Sequence, residues 1–166
     1  MNLDEALDHW RRERARLADV DEWVDAGKPL APWSLQPSLA KYAQLKKPDA
    51  KRALKELREE LAKDAFVRMF SAFEGELRAA FSEWLRNKCK TSALREAIDD
   101  ELPSIEGVLR IAAVLEPRFS KSLAGYVSNV RECRNKLVHG GFASPIPYDL
   151  EELHLKLAEV LALFTR

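Results

Sequence analysis

No apolar run in this sequence approaches the ~20 residues that a helix needs to cross a bilayer. A membrane-spanning segment is therefore not expected. Cysteine is scarce, with only Cys89 and Cys133, and these two lack the close spacing of metal-ligand pairs. Neither a disulfide framework nor a zinc site follows from them, and the simplest reading is a cytoplasmic protein with reduced thiols. The opening stretch, Met1-Asn2-Leu3-Asp4-Glu5, carries early acids and no apolar core, so a secretory leader is not expected either. Net charge is absent: 27 basic side chains face 27 acidic ones. That balance disfavours a protein that coats nucleic acid by bulk electrostatics, while a local basic groove remains compatible with it. Glycine is sparse, with 6 in 166 residues, and no strand–turn–strand rhythm interrupts the chain.

Leu, Ala, Glu, Lys and Arg dominate what is there, which points to an all-α protein. The length suits one domain. Residues 1–48 read as an N-terminal helical extension with a proline-rich connector, and residues 49–166 as the core bundle. Leu3, Leu7, Trp10, Leu17 and Val24 predict a first helix over 3–24. Gly27, Pro29, Pro32 and Pro37 follow it, with Trp33 and Leu35 available to dock the connector. A short helix from Ser38 to Leu45 would stop at Pro48.

The longest helix is predicted over 49–87. Leu54, Leu57, Leu61, Phe66, Phe70, Phe73, Leu77, Phe81 and Trp84 form its aromatic-rich seam. Such a helix either spans the bundle or kinks near Gly75. A lysine-rich turn and short helix are expected over 88–102. Ser104 is placed to cap a helix over 105–115, ahead of Pro117. A helix over 120–139 ends at Gly140-Gly141. Asp149, with Glu152 three residues later, starts a last helix that ends near Phe164.

Chemistry concentrates in the helix over 120–139. Leu123, Tyr126, Val127, Val130, Cys133 and Leu137 fall on one face at about 100° per residue. Arg134 lies inside that stripe, and a buried guanidinium requires an acceptor. In the long helix Glu74 breaks the seam of Phe70, Phe73, Leu77 and Phe81 in the same way. The two misplaced charges are therefore expected to lie near each other, with Glu74 orienting Arg134 or accepting from His139. A surface pair between Glu74 and Arg78, four residues apart, is the plainer alternative. His139 lies about 140° further round an ideal helix than Arg134. The two converge only if the helix ends at His139 or if two copies of the helix meet across a dimer axis.

The run Arg134-Asn135-Lys136-Leu137-Val138-His139, followed by Gly140, resembles the signature of the HEPN domains (higher eukaryotes and prokaryotes nucleotide-binding). In that signature an Arg and a polar residue, often Asn, precede a His near the end of a late helix. Glu74 on the aromatic-rich helix is compatible in placement, whereas the N-terminal third has no counterpart. The resemblance implies an HEPN-like helical bundle that forms a homodimer, with Arg134 and His139 of both protomers lining one cleft. It implies a metal-independent endoribonuclease, without cofactor, acting as a toxin or phage-defence effector. The catalytic residues would be Arg134, His139 and Asn135, with Glu74 supporting them and Lys136 and Arg131 contacting RNA. An antitoxin protein is a further implied partner. Where some family members carry a modifiable tyrosine two residues after the His, this chain has Gly141 and then Phe142, and Tyr148 is distant.

Two other readings compete. One is a non-catalytic HEPN-like module that binds RNA, a nucleotide or a protein partner. The other is a helical interaction protein, with Arg134 structural and His139 favourably placed at a helix C-terminus. The stretches Arg11 to Arg16 and Lys46 to Lys55 either track an RNA backbone or are solvated helix faces. His9 and His154 lack partners at metal-ligand spacing, and His154 is expected to pack at the edge of its stripe. Cys133 is expected to be a packed thiol, and Cys89, between Lys88 and Lys90, to be the more reactive one.

Overall fold

The computed structural model describes residues 1–27, 45–88, 104–140 and 145–165. Five helices account for most of them: α1 (Leu3–Ala26), α2 (Lys47–Lys88), α3 (Ile105–Leu115), α4 (Lys121–Val138) and α5 (Leu150–Ala162). The expected all-α bundle is thus present. Nearly all of the segments 38–45 and 88–102, Cys89, Trp33 and Gly141 lie outside the described residues, as does the proline-rich connector.

Residue 2 starts α1 with a reciprocal cap. The Asn2 side chain accepts from the Glu5 N–H at 2.8 Å, and the Asn2 N–H donates to Glu5 Oε2 at 2.9 Å. Gly27, at φ 61°, closes the helix two residues beyond its expected end. The buried face is Leu3, Ala6, Leu7, Trp10, Leu17 and Val20. Val24, expected on this stripe, is half-buried and packs against the cluster of Leu17, Val20 and Leu54.

α2 is the mast of the bundle. Its 42 residues reach about 63 Å and run uninterrupted through Gly75. Pro48 sits in its first turn, where a missing N–H breaks no helical bond. Leu54, Phe66, Phe70, Phe73, Leu77 and Phe81 have no solvent exposure. All four other helices touch α2. The first half of α1 joins this main core through Leu3, Ala6, Leu7 and Trp10. Its second half is an extension with a small cluster of its own, Leu17 and Val20 against Leu54.

Both later helices that carry caps use them as expected in outline. Ser120 accepts from the Leu123 N–H at 3.1 Å at the start of α4, and Asp149 accepts from the N–H groups of Glu151 and Glu152 at the start of α5. Ser104 occupies the N-cap of α3, but its side chain makes no capping bond. Aromatic packing closes one part of the core, where Phe164 meets Phe81, Trp84 and Phe119. No helix among the described residues is long and apolar enough to cross a membrane.

The turn between α3 and α4 holds a buried acid that the sequence pattern did not reveal. Glu116 is 4 % exposed. Arg118 donates to it through Nε at 2.7 Å, Nη2 at 3.0 Å and its backbone N–H at 3.2 Å. Arg118 Nη2 also reaches the Leu163 carbonyl at 3.2 Å, which ties the turn to the end of α5. Hydrogen bonds from the guanidinium pull the Glu116 carboxyl down to about 2. A carboxyl depressed on folding stabilises the fold above its unfolded value, and that contribution fades as pH falls through the folded one. Glu116→Gln should therefore cost about 1–3 kcal/mol near neutral pH in chemical denaturation. The gap between variant and wild type should narrow as the pH is lowered from about 5 towards 2.

Candidate phosphate site at the end of α4

Val127, Val130 and Cys133 form the buried face of α4, flanked by half-buried Leu123, Tyr126 and Leu137. Arg134 lies at the border of this face, with its side chain 27 % exposed. The helix ends where the glycine signal placed its end. His139 is the C-cap, its N–H donating to the Asn135 carbonyl at 3.1 Å, and Gly140 follows at φ 71°. Only glycine adopts that backbone without strain, so the chain turns off directly after the histidine. The His139 side chain is exposed.

Glu74 and Arg134, the two charges that interrupt apolar stripes, meet across the seam between α2 and α4. Glu74 Oε2 is 3.7 Å from Arg134 Nη2, and the carboxylate is 15 % exposed. Arg78 is not the partner of Glu74. Arg134 Nη2 also donates to Ser71 Oγ at 3.5 Å, and Nη1 donates to Asn135 Oδ1 at 3.0 Å. The remaining donor, Nε, is buried without a partner among the described residues. Two of the three contacts are long, and a buried N–H without an acceptor costs about 1–3 kcal/mol. The guanidinium is therefore charged, enclosed on one side and incompletely satisfied. A phosphate arriving at this seam would meet the part of the Arg134 side chain that is open to solvent, and not the enclosed Nε.

Asn135 lies beside Arg134. Its side chain accepts from Arg134, and only its backbone carbonyl is bonded to His139, through the main-chain N–H. Arg131 and Lys136, expected to contact RNA, are each matched by an acid. Arg131 Nη1 is 3.2 Å from Glu106 Oε2, and Lys136 Nζ is 2.7 Å from Glu132 Oε1. Helical spacing of four residues creates the second pair, and the packing of α3 against α4 the first. Ser71 was not anticipated. Its place one turn before Glu74, on the same face of α2, was the available signal.

Within the basic stretches of α1 and α2 some cations pair with acids, on their own helix or across to another. Arg11 pairs with Glu151 on α5, and Arg16 with Glu13. Lys51 lies 2.6 Å from Asp25, and Lys47 3.1 Å from it, while Arg58 reaches Asp21 at 2.7 Å. Arg14 lies over the Trp10 ring at 5.1 Å. His154 packs at its stripe edge and bonds to Asp4 through Nε2 at 2.7 Å. Burial pushes the Cys133 thiol up, as befits a packed residue. Tyr148 stacks on Phe66 and meets Tyr126 edge-on, and burial raises its hydroxyl as well. Among the described residues no three His, Cys, Asp or Glu side chains are grouped to hold a metal ion.

No family model, curated protein or solved structure matches this chain.

The cross-helix pair makes a thermodynamic prediction that is independent of any activity. Glu74→Ala leaves a partly buried guanidinium without its countercharge, and should destabilise the fold by about 1–3 kcal/mol in urea. In a double-mutant cycle with Arg134→Ala, a coupling of about 0.5–2 kcal/mol is expected. Strict additivity would show that the two charges do not interact.

Proposed function

We propose that this chain is a metal-independent endoribonuclease of the HEPN type, acting as a toxin or phage-defence effector. The observation that carries the reading is the Arg134 guanidinium, held at the α2–α4 seam by Glu74, Ser71 and Asn135 and still partly exposed. The exposed His139 at the end of the same helix supports it. In this reading two copies place their α4 helices face to face. The neutral imidazole of one His139 takes the proton from a ribose 2′-OH, and the 2′-oxygen attacks the adjacent phosphorus. The bond from phosphorus to the 5′-oxygen breaks, and the protonated His139 of the second copy supplies the proton to that leaving oxygen. The products are a 2′,3′-cyclic phosphate and a 5′-OH. Arg134 stabilises the added negative charge on the phosphoryl oxygens. Glu74 is a positioning residue that fixes the guanidinium plane. A cognate antitoxin protein belongs to this proposal, and modification of a tyrosine two residues after His139 does not, since Gly141 stands there.

One observation favours a second reading, a non-catalytic module that binds RNA, a nucleotide or a protein. His139 has no side-chain hydrogen bond among the described residues, so none of these residues selects its tautomer.

Incubation of a mixed-sequence RNA with the protein in excess EDTA separates the two. Wild type should cut and leave cyclic phosphate ends, while His139→Ala and Arg134→Ala should each lose at least about a hundredfold in rate, as removal of an acid–base group or a charge-stabilising donor does. Equal cutting by wild type and His139→Ala would overturn the proposal. Binding of the RNA by wild type without cutting would transfer the assignment to the module.

A further inference from the structure

One turn beyond Glu74 on α2 stands Arg78. Residues three and four apart share a helix face, so Ser71, Glu74 and Arg78 form one stripe, and its first two members hold Arg134. Arg78 is exposed and has no ion pair or hydrogen bond among the described residues. That sets it apart from Arg68, Arg131 and Lys136, although Arg52, Lys55 and Lys63 of α2 likewise have no partner among the described residues. Arg68 is bonded to Asp64 at 2.6 Å, and Arg131 and Lys136 are matched as described.

The surface beside this stripe is open. A methyl group added at Gly75 would meet no atom within 4 Å. Next to it runs a trough of about 470 Å³, lined by Asn2, Glu5, Ser71, Ala72, Gly75 and Glu76. Its acids lie on the side towards the start of α1, where Glu5 accepts from the Asn2 N–H and Glu76 from the Leu3 N–H. An anionic strand crossing here is repelled from that side and drawn to the stripe that carries Arg78 and leads to Arg134.

We propose that Arg78 binds the backbone phosphate next to the one held at Arg134, so that a single RNA strand lies along α2 across Ser71 and Gly75. The inference rests on the endoribonuclease reading and adds a substrate-binding residue and a direction for the strand. The α-carbons of Glu74 and Arg78 are separated by about 6 Å along the helix, which lets two side chains on one stripe serve two phosphates. Phosphate contacts of this kind set register and carry no base preference.

The test uses the full chain in the His139→Ala background, which binds without cutting, and a mixed-sequence single-stranded RNA as probe. Adding Arg78→Ala should weaken binding roughly three- to fivefold, as expected for one exposed charge contact. The slope of log affinity against log salt should fall by about 0.7, the release expected from one phosphate on a single strand. Arg78→Lys should keep the slope. Arg12, an exposed arginine on α1 with no partner among the described residues, is the control for net charge, and Arg12→Ala should leave both quantities unchanged. An unaltered slope in Arg78→Ala, or an equal loss in Arg12→Ala, overturns the inference while leaving cleavage by wild type intact. Failure of wild type to cut or bind RNA removes both this inference and the reading beneath it.

Discussion

The ion pair between Glu74 and Arg134 is the constraint on which the candidate site depends. It places a charge of each sign at the edge of an apolar interface, where each needs the other. Partly buried pairs are poor devices for stability, because desolvation offsets much of the attraction. This one is also loosely made, with a 3.7 Å separation and an unsatisfied Nε. A bundle with as much aromatic core as this one has no energetic need for it. A cation held in place, short of acceptors and partly open to solvent suits an anionic ligand better than it suits packing.

The rest of the fold presents that cation. α2 supplies a straight surface on which Ser71, Glu74 and Arg78 share one stripe. Its buried side, from Phe66 to Phe81, fixes the rotation of the helix and hence the direction of that stripe. α4 is held by its own apolar face and ends abruptly at Gly140, which leaves His139 at the exit. Surface pairs such as Arg58–Asp21 and Lys51–Asp25 then fasten α1 to α2. In these pairs the acids come from α1 and the cations from α2.

Much of this was legible in the residues alone, for identifiable reasons. Apolar spacing reports burial directly, so the helices and the faces of α2 and α4 followed from it. The meeting of Glu74 and Arg134 was expected from a cost, since two charges in apolar stripes must find partners, with a surface pair between Glu74 and Arg78 as the alternative. Other features depend on three-dimensional proximity that spacing does not encode. Glu116 and Arg118 flank a proline turn and read as ordinary surface charges, yet the turn folds the acid inward. The matching of Arg131 by Glu106 requires knowing that α3 packs on α4. The bond that Arg134 donates to the Asn135 side chain turns on a side-chain rotamer that no pattern specifies.

The account holds that Arg134 and Glu74 are kept for phosphate chemistry and not for the fold. Replacing both by apolar residues of similar size, Glu74→Leu with Arg134→Met, tests this most directly, with thermal unfolding and RNA cleavage measured on the same preparation. The account predicts a thermal midpoint within about 5 °C of wild type, since buried pairs exchange for apolar ones at little cost, together with loss of cleavage. A double variant that still cuts RNA at the wild-type rate would contradict it.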